Sequence, residues 1–284
     1  MSIQFSWKAM RKIFFLFMFL KCSLAWGQHQ NFRSRSELGL TAGGMYYIGD
    51  LNPTNHFAFY RPALSVFYRY NYTSRVALRG QLLVGSISGN DAQDPSNLGA
   101  TYFNRNLSFN SDIYEISTDI EFSYLPFQIG HKKYRGTGYL FAGIAYFQMN
   151  PYVNFNGDRI ELRTLGTEGQ NTPLNSDGYY SQNQLALPVG LGVKYGIGSM
   201  FSIGLEYGMR FTFTDYLDDV SKNTYVDTDE LANYTSPLTV SLSNRSLDKS
   251  NYGLRGNEST SDYYFFGGIT LSIRLGDPDK CYKH

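Results

Sequence analysis

Histidines and nearby carboxylates are the first candidates for chemistry in this chain. His56 has Asp50 and Asn55 close to it in sequence, and a histidine held by a neighbouring acceptor can serve as a general base. A solvated loop histidine is the other interpretation of His56, since sequence does not show the required geometry. The remaining histidines lie near the two ends of the chain or in a basic segment: His29, His131 and His284.

Metal and nucleic-acid chemistry are not predicted. No two histidines or cysteines have the spacing of transition-metal ligands. The segment 218–230, "DDVSKNTYVDTDE", is rich in oxygen donors but lacks the ordered pattern of a calcium loop, so we interpret it as a polar surface loop. The formal net charge of +1 does not fit a basic nucleic-acid surface. We therefore expect no cofactor and no nucleic-acid partner.

Charged residues recur in a regular alternation that predicts how they are held. In residues 199–215, large apolar side chains occupy every odd position from Phe201 to Phe213. Small or charged residues, including Glu206 and Arg210, occupy the positions between them. This period of two predicts a strand with one fully apolar face.

Seven further segments repeat this alternation, and none predicts a helix. In the fifth segment both faces are apolar, so its inward and outward phase is not assigned. With residues 199–215, the predicted strands are 37–48, 62–72, 75–88, 111–125, 138–149, 184–196 and 262–275.

The connections between these strands alternate in length. Long polar segments follow every odd strand (49–61, 89–110, 150–183 and 214–261), whereas short ones follow the even strands (73–74, 126–137 and 197–199). Outer-membrane barrels have this asymmetry, with short periplasmic turns and long surface loops. The predicted fold is thus all-β, an eight-stranded antiparallel transmembrane β-barrel. An even strand number returns both ends of the barrel to the periplasmic side.

The interior of so narrow a barrel is expected to be filled rather than open. A soluble barrel of lipocalin type is the alternative, and it would turn its apolar face inward. In the membrane barrel the apolar face contacts lipid, and we expect Glu206 to pair with Arg210 inside. The predicted lumen charge network comprises Glu206, Arg210, Arg79, Glu115, Asp119 and Lys194, with Arg69 and Glu121 as further partners.

Aromatic residues mark both ends of the apolar face, as expected at two membrane interfaces. One girdle is predicted at the turn end, comprising Tyr68, Tyr70, Tyr124, Tyr195 and Phe201. The other is predicted at the loop end, comprising Tyr46, Phe211, Phe213, Tyr263 and Phe265.

The amino terminus has the pattern of an export signal. A basic segment precedes the apolar run "IFFLFMFL" (13–20), and "AWG" (25–27) places small residues where a signal peptidase cuts. We expect 1–27 to be a cleaved signal peptide, 28–275 the barrel and 276–284 a periplasmic tail. An uncleaved anchor is an alternative, and so is a lipoprotein at Cys22, although Lys21 does not fit that motif. Cleavage leaves Cys281 as the sole cysteine.

Both ends of the mature chain resemble a known family. "GLTAGGMYYIGDLNP" (39–53) joins a glycine-rich strand to an aromatic pair and a Gly-Asp-Leu-Asn turn, and "IRLGDPDKCYKH" (273–284) closes the last strand with a cysteine beyond it. These segments resemble the PorG-like outer-membrane barrels of the type IX secretion system in Bacteroidota. The resemblance implies a non-enzymatic barrel that fastens a periplasmic ring of PorK-like lipoprotein and PorN-like protein to the outer membrane.

Two features of the turn end fit such a role. An unpaired cysteine in an oxidising compartment is reactive, so Cys281 suggests a bridge to a partner thiol, with a frayed terminus as the alternative. The turn 126–138 carries His131, Lys132, Lys133 and Arg135, which form either part of a docking face or a solvated basic turn. An enzyme centred on His56 and an adhesion barrel using loops 150–183 and 214–261 stay open as other functions.

Overall fold

A computed structural model describes residues 36–93, 104–250 and 253–276. The predicted signal peptide, most of the tail and Cys281 lie outside these residues. Within these ranges the chain forms nine strands: β1 (Ser36–Ile48), β2 (Arg61–Asn71), β3 (Val76–Asn90), β4 (Ser108–Ser123), β5 (Gly136–Phe155), β6 (Asp158–Glu161), β7 (Asn183–Ile197), β8 (Phe201–Thr212) and β9 (Tyr263–Leu275).

Eight of these strands close into one antiparallel barrel. The order around the barrel is β1, β2, β3, β4, β5, β7, β8 and β9, and each pairs with its neighbours. Closure is made by β1 and β9, which pair from Ser36 opposite Leu275 to Ile48 opposite Tyr263. The short β6 forms an antiparallel hairpin with the last residues of β5. The predicted eight-stranded antiparallel barrel is therefore confirmed.

The apolar face of each strand points away from the barrel axis. In β8, Leu205 is 57% exposed, whereas the adjacent Glu206 is 4% exposed. The same alternation fixes β5, whose phase the sequence does not give: Leu140 and Ile144 are exposed, and Phe141 and Phe147 are buried. The outer wall is thus a belt of exposed apolar side chains, which is the surface that a hydrocarbon environment solvates and water does not.

The last long loop contains two short helices, which the sequence interpretation misses. Helix α1 (Thr228–Leu231) begins after Asp227, whose side chain accepts hydrogen bonds from two backbone amides. Helix α2 (Pro237–Ser243) begins after Ser236, whose side chain accepts a hydrogen bond from the Thr239 amide, with proline in the first helical turn. Across the described residues, every helix is too short or too polar to cross a membrane.

The predicted girdles are only partly exposed. At the turn end, Tyr68, Tyr124 and Tyr195 are exposed as expected. At the loop end, Tyr46 and Phe265 are buried although they lie on the outward face. The reason is that part of the first long loop folds down over the outer wall and covers them.

Candidate functional site

The barrel interior holds ten buried charged side chains, and the strand alternation directs all of them inward. Five are carboxylates and five are cations, so the set is neutral overall. The carboxylates are Glu37, Glu115, Asp119, Glu121 and Glu206, and the cations are Arg69, Arg79, Lys194, Arg210 and Arg274. Because a buried unpaired charge is costly, this balance favours pairing of the charges inside the barrel.

Near the turn end, Glu121 is the centre of the network. Arg69 Nε lies 2.9 Å from Glu121 and Lys194 Nζ lies 3.1 Å from it. Arg69 also bonds Glu37 on the neighbouring strand at 2.7 Å. These contacts tie β1, β2, β4 and β7 together across the lumen.

Arg79, on β3, points into the lumen and is 0% exposed. Its guanidinium lies 3.1 Å from Asp119 and 3.3 Å from Glu121, and it also contacts Glu206. Glu206 accepts a second hydrogen bond from the Tyr139 hydroxyl at 2.7 Å. Since β3 and β8 lie on opposite sides of the barrel, the Arg79–Glu206 contact spans its full width.

The expected pairing of Glu206 with Arg210 is replaced by pairings across the lumen. Arg210 lies 3.3 Å from Glu115, which also accepts a hydrogen bond from the Tyr264 hydroxyl. Residues four apart on one strand are separated by about 13 Å along it, so a partner on the facing wall is nearer than one on the same strand. The predicted inward charges are therefore all brought together, but in other pairs.

Apolar side chains fill the lumen between the charges and the loop end. They form one buried cluster that includes Met45, Leu83, Ile87, Phe109, Ile113, Phe147, Met149 and Phe266. Inward glycines make room for the bulky rings, since a Cβ on Gly190 or Gly208 would lie within 2.6 Å of Phe141. The described residues thus block the barrel along its length, as expected for eight strands.

The long loops close over the loop end as a compact cap. Arg105 binds Asp91 through two bonds of 2.7 and 2.8 Å and donates to the carbonyls of Asp50 and Arg255. Arg255 binds Glu168 and donates to Thr167 at 3.1 Å. Two buried arginines therefore join all four long loops. The segment 218–230, expected at the surface, begins inside this cap because Asp218, Asp219 and Val220 are buried.

Several aspartates are buried in the cap with few cations beside them. Tyr47 donates a hydrogen bond to Asp218 and lies 3.3 Å from Asp262. Burial raises the pKa of Asp215 to about 8 and the pKa of Asp219 to about 7, the latter against the opposing effect of Arg255. Within the ranges that the structure describes, no group of His, Cys, Asp or Glu is arranged to hold a metal ion.

The turn end is closed by the segment after β4. Phe127 and Ile129 are buried, with Lys194 over the Phe127 ring and Arg274 donating to the Ile129 carbonyl at 3.1 Å. His131 Nδ1 accepts hydrogen bonds from the amides of Lys133 and Tyr134, which folds the turn tightly. The side chains of Lys132, Lys133 and Arg135 are exposed on its surface.

His56 and Asp50 are not brought together. The His56 imidazole bonds the Tyr46 hydroxyl at 2.9 Å and packs edge-on against Phe265 on the outer wall. The Asp50 carboxylate instead accepts a hydrogen bond from the Asn257 amide in the cap. The His56–Asp50 arrangement required for a general base is therefore absent.

The filled lumen, the closed ends and the apolar outer belt define a small membrane-type β-barrel without a conduit through its described residues. The chain belongs to the family described as Domain of unknown function (DUF6089), which matches residues 11–284. No curated protein matches it.

Solved structures with similar strand layouts are barrels of low sequence identity. Ail, the attachment invasion locus protein of Yersinia pestis, is 8% identical, with 86% of this chain and 99% of that chain covered and a TM-score of 0.40. Neisserial surface protein A is 10% identical, with 84% and 97% covered and a TM-score of 0.41. OprG of Pseudomonas aeruginosa is 8% identical, with 86% and 98% covered and a TM-score of 0.34.

Proposed function

We propose that this protein is a non-enzymatic outer-membrane barrel that anchors a periplasmic protein assembly at its turn end. The observation that carries the proposal is the blocked lumen, in which charge pairs and an apolar cluster fill the barrel. With no conduit through its described residues, such a barrel would act through its outer wall or its two ends. The loop end is occupied by its own cap, which leaves the turn end as the simplest docking face.

The outer wall supports placement in a membrane. Exposed apolar residues surround the barrel, among them Leu82, Ile116, Leu191 and Leu205. Closed barrels satisfy their backbone hydrogen bonds internally and can therefore cross a bilayer. Short turns at one end and long loops at the other fit a barrel of the bacterial outer membrane, with the turn end in the periplasm.

The turn end offers a basic surface for a partner. Lys132, Lys133 and Arg135 project from a turn that is fixed by the His131 hydrogen bonds, so their positions are preorganised. Strand β9 also finishes at this end, where Arg274 donates to the Ile129 carbonyl next to the turn. An acidic surface on a periplasmic protein fits this arrangement.

The resemblance of residues 39–53 and 273–284 to PorG-like barrels suggests which assembly is held. The partners would be a PorK-like lipoprotein and a PorN-like protein of the type IX secretion ring. Cys281 would bridge the barrel covalently to the lipoprotein, which tethers strongly for little buried surface.

Deleting the gene tests the role in secretion. We expect many cargo proteins of the type IX system to be lost from the medium together. If secretion continues unchanged in the deletion strain, the anchoring role in that system is wrong, and surface-loop binding becomes the better hypothesis.

Charge reversal tests the docking face directly. A triple variant, Lys132→Glu, Lys133→Glu and Arg135→Glu, should co-purify with less of the ring proteins than wild type. The matched control is Arg159→Glu, an exposed change at the loop end. Equal recovery of the ring proteins with the triple variant would exclude this turn as the contact.

A non-reducing gel tests the covalent bridge. With thiols trapped before lysis, the wild type should migrate as a heavier species that collapses with reductant and is missing in Cys281→Ser. A wild type that migrates as a monomer would contradict the bridge and leave non-covalent anchoring to be judged by co-purification.

A further inference from the structure

Residues 53–60, here called the strap, cover part of the outer wall between β8, β9 and β1. The Phe57 ring lies 5.1 Å from the Tyr46 ring and 5.9 Å from the Tyr207 ring. The Tyr60 hydroxyl donates to the Gly267 carbonyl at 3.2 Å. These contacts place a loop segment against a surface that elsewhere belongs to the exposed apolar belt.

The strap holds bulky residues in an unfavourable backbone conformation. Phe57 has φ of 65° and Phe59 has φ of 52°, in the left-handed region that aromatic residues rarely adopt. Despite this, Phe57 is 63% exposed, so burial of its ring does not account for the conformation. Strain of this kind is concentrated at ligand clamps and other functional positions.

An apolar notch lies between the strap and the wall. Its volume is about 360 Å³, with Ala42 and Gly267 in the floor, Leu205 and Ile269 at the rim, and Phe57 and Tyr60 on the strap side. Gly267 pairs with Gly44 on one side and Tyr207 on the other. The space over Gly44 is filled by the Tyr60 ring, since a Cβ there would lie 2.4 Å from that ring. The notch is therefore a gap in the belt at Gly267, beside Ala42.

The notch opens on the surface that faces lipid. Leu205 and Ile269 are exposed members of the belt, so whatever fills the notch comes from the same hydrocarbon environment. Gly267 lies four residues after the start of β9, which places it about 13 Å along the strand from Tyr263. This depth suits a hydrocarbon chain that enters from the loop-side interface.

A cluster of hydrogen-bonded polar groups borders the notch. The Tyr46 hydroxyl bonds both His56 and the Tyr207 hydroxyl, so these groups satisfy one another next to the apolar space. His56 is exposed. Aromatic side chains with a polar group at one end and an apolar ring are favoured at membrane interfaces.

We propose that the notch is a lipid site that takes one acyl chain of a lipid from the loop-side leaflet, with the strap closing over that chain. The absent side chain at Gly267 and the small side chain of Ala42 provide the space, and the Phe57 and Tyr60 rings provide the cover. The proposal depends on the belt facing lipid and is independent of any periplasmic partner.

Photocrosslinking tests this site. The full chain is reconstituted in phosphatidylcholine vesicles containing a small fraction of phosphatidylcholine with a diazirine on one acyl chain, and labelled positions are mapped by mass spectrometry. Labelling of the strap and of β9 near Gly267 should exceed labelling of β4, on the opposite wall, severalfold. Ala42→Trp fills the floor and should lower notch labelling to the level of β4.

Ile116→Trp, at an exposed site on β4, is the matched control and should leave notch labelling unchanged. Heat-modifiable migration on a gel verifies that each variant is folded. If Ala42→Trp does not fold, Phe57→Ala decides the question, because it opens the cover without adding volume to the wall and should also reduce notch labelling. Uniform labelling around the wild-type barrel, or equal effects of Ala42→Trp and Ile116→Trp, would overturn the proposal.

Discussion

Replacing Arg79 by methionine should destabilise the barrel strongly. Arg79 is fully buried and contacts Asp119, Glu121 and Glu206. Glu121 keeps two other cations in the variant, at 2.9 and 3.1 Å, whereas Glu206 keeps only a neutral hydroxyl among its described hydrogen bonds. Breaking a buried pair by removing one partner costs about 3–5 kcal/mol, since the remaining charge is left uncompensated.

Urea unfolding in lipid vesicles measures this loss, provided that unfolding is reversible. Arg159→Met is the control, because its ion pair with Asp112 is partly exposed to solvent and its loss should cost less than about 1 kcal/mol. Adding Glu206→Gln to Arg79→Met should restore part of the stability, because it removes one of the two carboxylates, Asp119 and Glu206, that lose their ion pair with Arg79. The reasoning is refuted if Arg79→Met costs no more than Arg159→Met, or if Glu206→Gln destabilises the double variant further.

Three more perturbations test the belt and the cap. Leu205→Arg should lower the free energy of unfolding in vesicles by about 2–4 kcal/mol if the residue is near the bilayer midplane, with Leu205→Ala as the control. A Leu205→Arg variant as stable as wild type would contradict the outward orientation of Leu205. Burial raises the pKa of Asp215 to about 8 and of Asp219 to about 7, so the folded cap binds more protons than the unfolded one. Stability of the cap should therefore fall as pH rises from about 4 towards 8, seen as faster hydrogen exchange of cap amides after correction for intrinsic rates. Equal protection at pH 5.5 and pH 8.5 would refute this. Arg255→Met should remove the ion-pair partner of the buried Glu168 carboxylate and make the cap sensitive to proteolysis. The barrel of this variant should keep its heat-modifiable migration on a gel. A cap that resists protease as well as wild type would show that Arg255 is not required to hold it closed.

The barrel is predictable from sequence because its signals are local. Alternation along 199–215 sets the phase of β8, and the unequal connections set which strand ends share a side. In β5 the same rule gives no answer, since Phe141 and Phe147 fill the lumen while Leu140 and Ile144 face outward. The apolar cluster in the lumen and the apolar belt on the outer wall use the same residue types, so polarity does not alternate along β5.

Contacts that depend on the closed barrel are not predictable in this way. Arg79 and Glu206 meet across the lumen, 127 residues apart, and no local spacing indicates that they are partners. The cap likewise depends on Arg105 and Arg255, whose buried contacts join segments from all four long loops. The α2 helix is different, because Ser236 followed by Pro237 is a helix-start signal that the sequence does contain.

The lumen charges are distributed unequally between the first and second halves of the chain, and this affects which strands pair during assembly. Strands β1–β4 carry four of the buried carboxylates (Glu37, Glu115, Asp119 and Glu121) and two of the cations (Arg69 and Arg79), a net charge of −2. Strands β5–β9 carry three cations (Lys194, Arg210 and Arg274) and one carboxylate (Glu206), a net charge of +2. Each half-sheet alone would present an unbalanced charge, and two copies of the same half would repel. Electrostatic complementarity thus favours closure of β1–β4 onto β5–β9 over mispairing of like halves between neighbouring chains during assembly.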